Sequence, residues 1–138
     1  MRRATVFAAI VLTLALPLAA FAQDVAMQPT LEELRYNARP LVIFADTPED
    51  PKFVQQMELL ELLPEELEKR SVVVLVDTDP QANGPLRQQL RPQGFGLVLI
   101  DVDGAVAHRR PLPTSVRELS NFIDRMPSRR QETGSQRP

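Results

Sequence analysis

The chain has 138 residues, 43% of them hydrophobic, with 16 basic and 18 acidic side chains and a net charge of −2. That is enough for one domain with a packed core, and the mild acidity with no Trp and a single Tyr argues against nucleic-acid binding. The absence of cysteine excludes disulfides, thiolate nucleophiles, Cys-ligated zinc and iron–sulfur clusters.

Residues 1–22 read as an export signal. Arg2 and Arg3 form a short basic start, and Ala4 to Ala19 is almost wholly apolar. Ala20-Phe21-Ala22 fits the small-x-small pattern of signal peptidase sites, which predicts cleavage after Ala22. Losing Arg2 and Arg3 takes the net charge from −2 to −4. The expected location is therefore periplasmic or secreted, with the membrane touched only through the uncleaved signal.

Residues 23–38 form a lead-in in which Thr30 and Glu33 have capping-box spacing. Leu41 to Ala45 is apolar without alternation, the pattern of a strand covered on both faces. Asp46-Thr47-Pro48-Glu49-Asp50-Pro51 is turn chemistry, with Asp50 as helix cap and Pro51 at the first helical position. Phe53, Met57, Leu60 and Pro64 recur at helical spacing, with Pro64 ending or kinking the helix and Glu65 to Arg70 adding a last turn.

Ser71 to Asp77 is a second buried strand, and Asp79-Pro80 and Asn83-Gly84 are turn signals. Pro85 to Arg91 reads as a short helix and Gly96 to Asp101 as a third strand. Asp103-Gly104 turns the chain into an outer strand, Ala105 to Arg109. Ser115 to Met126 is a helix with a Ser115/Glu118 capping box and an apolar face of Val116, Leu119, Phe122, Ile123 and Met126. Pro127 stops it, and residues 128–138 read as a flexible polar tail.

A helix between two buried strands forces a parallel crossover, and the Asp-Gly connection makes the last two strands antiparallel. The order strand-helix-strand-helix-hairpin-helix thus gives an α/β fold. Its mixed four-stranded sheet is flanked by helices, a thioredoxin-like architecture spanning residues 39–127.

Several stretches resemble a bacterial family known only as a domain of unknown function (number four-one-seven-four). They are Arg39 to Phe44, Asp50-Pro51, Val72 to Asp77, Gly94 to Ile100, and Ile123 to Glu132, the last containing Met126-Pro127-Ser128-Arg129-Arg130-Gln131-Glu132. The resemblance runs over about residues 30–132 and implies a thioredoxin-like fold and an extracytoplasmic setting. It implies no enzyme. In thioredoxins a Cys-x-x-Cys follows the first core strand, where this chain has Asp46 to Pro51. The place of their cis-proline falls at Gly94 or Phe95. Thiol–disulfide exchange needs a thiolate, so oxidoreductase, isomerase and thiol-peroxidase activities are excluded.

Three groups are candidates for a site. Asp46 and Asp77 end neighbouring strands, with Asp50 and Asp79 close in sequence, and these carboxylates suit a divalent cation or small ligand. His108 has no partner for acid–base catalysis in a recognisable motif. Arg109 and Arg110, with Arg125, Arg129 and Arg130, could form an anion or partner-docking patch, and the Asp46–Asp50 turn with the Phe95 loop could form a protein- or peptide-docking surface. Gly94-Phe95-Gly96 lacks the helix and lysine of a phosphate loop. The leading expectation is a non-catalytic module without cofactor that binds an envelope protein or peptide. The alternative is a cation- or small-ligand-binding domain on the Asp46/Asp77 edge.

Overall fold

A run of apolar residues with no polar alternation can be stable only where both faces of the strand are covered. Residues 39–44 meet that condition, being buried without exception. The computed structural model describes residues 27–134, so the signal, its Ala22 cleavage site and the last four residues lie outside the described residues.

The elements in order are α1 (Leu31–Leu34), β1 (Arg39–Phe44), α2 (Pro51–Glu61), α3 (Pro64–Glu68) and β2 (Val72–Asp77). There follow α4 (Pro85–Leu90), β3 (Gly96–Ile100), β4 (Val106–Arg110), α5 (Val116–Asp124) and α6 (Pro127–Gly134). The sheet order is β2-β1-β3-β4. β1 and β2 are parallel, in register from Arg39↔Val72 to Phe44↔Asp77. β1 pairs antiparallel with β3, and β3 with β4. Leu99 faces His108 while Ile100 faces Val106, so the ladder shifts at Ala107.

The sheet divides two hydrophobic layers. Leu41, Ile43, Leu97 and Leu99 pack against Leu60 of α2, Leu67 of α3 and Val116, Leu119 and Ile123 of α5. Val42, Phe44, Leu75, Val98 and Ile100 meet Leu90 of α4, with Leu31 and Leu34 of α1 beside them. Alternate β1 residues thus serve opposite layers, as the period of two requires.

Local signals set most of the boundaries. Thr30 and Ser115 head α1 and α5 with complete capping boxes to Glu33 and Glu118. Asp50 caps α2, its Oδ1 accepting from Lys52 N at 2.8 Å. Gly104 (φ 89°) turns the β3–β4 connection, where the Asp101 carbonyl accepts from Gly104 N. Two expectations change. Pro64 does not join the apolar face of α2 but is exposed and opens the separate helix α3, because its fixed φ suits a first helical position. Pro127 opens a further helix, so that residues 128–134, expected as the start of a loose tail, are helical.

The reason for α6 is tertiary. Arg39, the first residue of β1, is fully buried. Its Nη2 donates to Glu132 Oε1 at 2.6 Å and to Ser128 Oγ at 3.1 Å, and its Nη1 to the Arg70 carbonyl at 2.9 Å. Asp101 Oδ1 stands 3.4 Å from Arg39 Nε and accepts from Ser128 Oγ at 2.8 Å. A buried guanidinium must be paired, and α6 supplies two of the partners, Ser128 and Glu132.

Candidate functional site

In this topology the turn after β1 occupies the place of the thioredoxin dithiol, and here it is built for shape. Thr47 Oγ1 accepts from Glu49 N at 3.2 Å and Thr47 O from Asp50 N at 3.3 Å. Asp46 to Glu49 are exposed, and Pro51 and the Asp50 cap start α2 immediately. Facing the turn from the start of β3, Gly94 adopts φ 61° and Phe95 precedes Gly96. Among the described residues, the Thr47 hydroxyl and the Asp50 carboxylate of this turn engage backbone N–H groups and not each other.

The carboxylates at the same end have structural work. Asp77 Oδ1 pairs with Arg87 Nε at 2.8 Å and caps Asp79 N at 3.1 Å. Arg87 is itself buried, donating from Nη2 to Ala45 O at 2.8 Å and to Asp77 O at 3.1 Å, with its guanidinium over the Phe44 ring. It ties the ends of β1 and β2 together. Asp79 Oδ1 accepts from Ala82 N, and Asp50 caps α2. Phe44, not Asp46, is in register with Asp77, so Asp46 lies two residues beyond the strand pair. Among the described residues no group of three or more His, Cys, Asp or Glu side chains could hold a metal ion.

The basic candidates separate. Phe95, expected at a docking surface, is only 7% exposed and packs into the layer with Leu97 and Leu119. Its ring is a core ring because the residue preceding β3 turns inward. Arg109 points to the α4 side, donating to the Leu90 carbonyl at 2.8 Å. Arg129 belongs to the α6 cluster, 3.1 Å from Glu132 and 3.9 Å from Asp124, while Arg130 is exposed on α6. Arg110 lies on the other face of β4 from Arg109, as alternation demands. There it shares a cavity of about 230 Å³ with His108, Glu118, Phe122 and Arg125. His108 stacks on Phe122, centroids 4.4 Å apart at 22°.

Carboxylate pKa values follow the ion pairs. The bidentate Arg70 guanidinium lowers that of Asp124, against the opposing effect of burial. Burial works to raise that of Glu132, but the hydrogen bonds from Arg39 and Arg129 prevail and leave it below the usual range. Hydrogen bonds from Lys69 and Arg70 lower Glu66, and the Thr30 backbone bond lowers Glu33.

Residues 30–132 match the family described as a domain of unknown function, DUF4174. The chain belongs to this family. No curated protein matches it. Among solved structures, it is similar to reduced 2-Cys peroxiredoxin of Plasmodium vivax, with 17% identity over 68% of this chain and 80% of that one, TM-score 0.54. It is also similar to Prx1a of Plasmodium yoelii, at 17% identity over 78% and 83% and TM-score 0.56. Thioredoxin peroxidase I of the same organism gives 19%, 78% and 83%, and 0.52. At these identities the likeness establishes a thioredoxin-like fold and nothing of activity. The two ends of the family match carry partners in one cluster, Arg39 at the head of β1 and Ser128, Arg129 and Glu132 in the closing helix.

Sequence reading missed Arg39, Arg87 and Gln56 as buried polar residues. The first had a local signal, a charge set against an uninterrupted apolar strand. Gln56 is fully buried on α2, where its amide donates to Thr114 O at 2.9 Å and accepts from Thr114 N at 2.8 Å. Nothing nearby in sequence marks it.

Proposed function

We propose that this domain is an exported, non-catalytic binding module that offers a thioredoxin-like scaffold to a protein or peptide in the cell envelope. The observation that carries the reading is the turn from Asp46 to Pro51. Strand, turn and helix stand where a thioredoxin has its dithiol, yet the turn is closed by Thr47 and Asp50 and holds no thiol. Thiol exchange requires a thiolate, and this chain has no cysteine. A scaffold stripped of its reactive group retains the surfaces by which it would engage a partner. Residues 1–22, with their basic start and small-x-small ending, support export.

The test is photo-crosslinking from side chains of the Asp46–Glu49 turn and of β4 in living cells of the native host, followed by mass spectrometry. The expected result is one reproducible partner among exported proteins, and exported protein whose intact mass lacks residues 1–22. Retention of those residues on a cytoplasmic protein would overturn the export half of the reading. A set of crosslinks no different from those of an unrelated exported protein would overturn the binding half.

A further inference from the structure

The cavity between β4 and α5 is built from two short spacings. His108 and Arg110 stand two apart on a strand and share its face. Glu118 in the first turn of α5, Phe122 within it and Arg125 at its C-cap, four and three apart, share a helix face. The cavity measures about 230 Å³, with Leu119 and Phe122 supplying apolar wall.

The lining carries unspent positive charge. Two permanent cations, Arg110 and Arg125, face one carboxylate. That carboxylate, Glu118, is already engaged, its Oε2 accepting from Ser115 N at 3.2 Å and Ser115 Oγ at 3.3 Å in the α5 capping box. Its other oxygen stays 3.9 Å from Arg110 Nη2, too far for a hydrogen bond. Arg125 spends Nε on the Asn121 carbonyl at 2.9 Å, which orients the guanidinium and leaves both Nη groups over. Phe122 fixes the plane of the His108 ring, whose nitrogens make no hydrogen bond among the described residues. Oriented N–H donors around a partly apolar hollow are complementary to a compact anion with several acceptor oxygens.

We propose that this cavity binds an anionic oxygen group, a carboxylate or phosphate, gripped by Arg110 and Arg125 with His108 as a further donor. The inference rests on the binding-module reading and gives the chemistry of what is bound. The anion could arrive free or on an acidic side chain of a peptide.

His108 is the only histidine in the chain, so its imidazole NMR signals report this cavity alone. The exported protein, purified without a histidine tag, is titrated at neutral pH with acetate, inorganic phosphate and the blocked peptide acetyl-Glu-Glu-Glu-amide. Sodium chloride at matched ionic strength is the control. The expected result is a saturable shift of the His108 ring signals. Arg110→Gln and Arg125→Gln should each weaken it about tenfold or more, as loss of a charge-assisted bond implies. Saturation by the peptide at much lower concentration than by the free anions assigns a peptide-borne group. Equal or tighter binding of acetate or phosphate assigns a free anion. No saturable shift with any of the three overturns the proposal, as does a shift that both variants keep while their melting temperatures match the parent's. A crosslinked partner without any anion-induced shift would leave the module reading standing and remove this site. An anion-induced shift without a partner would do the reverse.

Discussion

Arg39 and Glu132, 93 residues apart, are joined by two hydrogen bonds of 2.6 and 3.3 Å, from Nη2 to Oε1 and from Nη1 to Oε2. The arginine is fully buried and the carboxylate is partly exposed. The pair closes the first strand of the sheet onto the last helix. It gives the closing stretch of the family match a physical role as the lid over a buried charge. Ser128 belongs to the same lid, bonded to both Arg39 and Asp101.

Glu132→Gln should therefore destabilise the whole domain and not merely fray α6. The substitution keeps an acceptor near Arg39 but removes the charge that a desolvated guanidinium needs. A loss of about 1–2 kcal/mol is expected, allowing for the partial exposure of Glu132, with a fall in Tm of roughly 5–15 °C. Thermal unfolding followed by circular dichroism measures it. A Tm within a degree of the parent would show that the charge of Glu132 contributes nothing to global stability.

Acid should weaken the fold through the same contacts. The folded-state pKa values of Glu132 and Asp124 lie below the ordinary carboxylate range. Stability from such groups is present above their unfolded pKa, about 4, and is lost as pH falls through the lower folded value. Tm should then be level above about pH 5 and decline below about pH 4. The decline should be shallower in a Glu132→Gln, Asp124→Asn double variant. An equally steep decline in the double variant would place the acid sensitivity elsewhere.

Elements whose signals are local in sequence can be read from it, and those held by distant residues cannot. β1 was legible because its signal is five consecutive apolar residues, and α5 because Ser115 and Glu118 lie within one turn. The helix α6 was not, since Pro127–Gly134 has no apolar period and no buried residue. What holds it lies at residues 39 and 101. The cavity was half legible. Arg110, Arg125 and His108 were each visible as candidates, but only the antiparallel return of β4 beside α5 brings them together and sends Arg109 to the opposite face. Phe95 was misplaced because an aromatic in a glycine-flanked loop looks the same in sequence whether its ring turns inward or outward.

The cation reading of the aspartates makes an opposite demand on Asp77. In the structure its carboxylate neutralises buried Arg87, which in turn holds the Ala45 and Asp77 carbonyls. Millimolar calcium should leave the melting temperature unchanged, and Asp77→Asn should cost about 1–3 kcal/mol with or without the metal. A calcium-dependent rise in Tm that Asp77→Asn abolishes would restore the cation site.

Gln56 offers the sharpest test of packing, because its amide meets both backbone groups of Thr114 in the core. Gln56→Leu fills similar space but strands an N–H and a C=O, for an expected loss of about 2–4 kcal/mol in urea unfolding. Gln56→Glu is more discriminating. Its carboxylate would still accept from Thr114 N, yet its second oxygen would face the Thr114 carbonyl, where the amide now donates. Ionisation there is penalised by burial and by that carbonyl, so the folded-state pKa of the new carboxyl should be raised. A raised acid is favoured in its protonated form, and protonation restores a donor toward the carbonyl. Relative to the parent, Gln56→Glu should therefore gain stability as pH falls through that raised value, the reverse of the trend set by Glu132 and Asp124. A penalty independent of pH would mean that the buried amide pair does not lock α2 to the segment leading into α5.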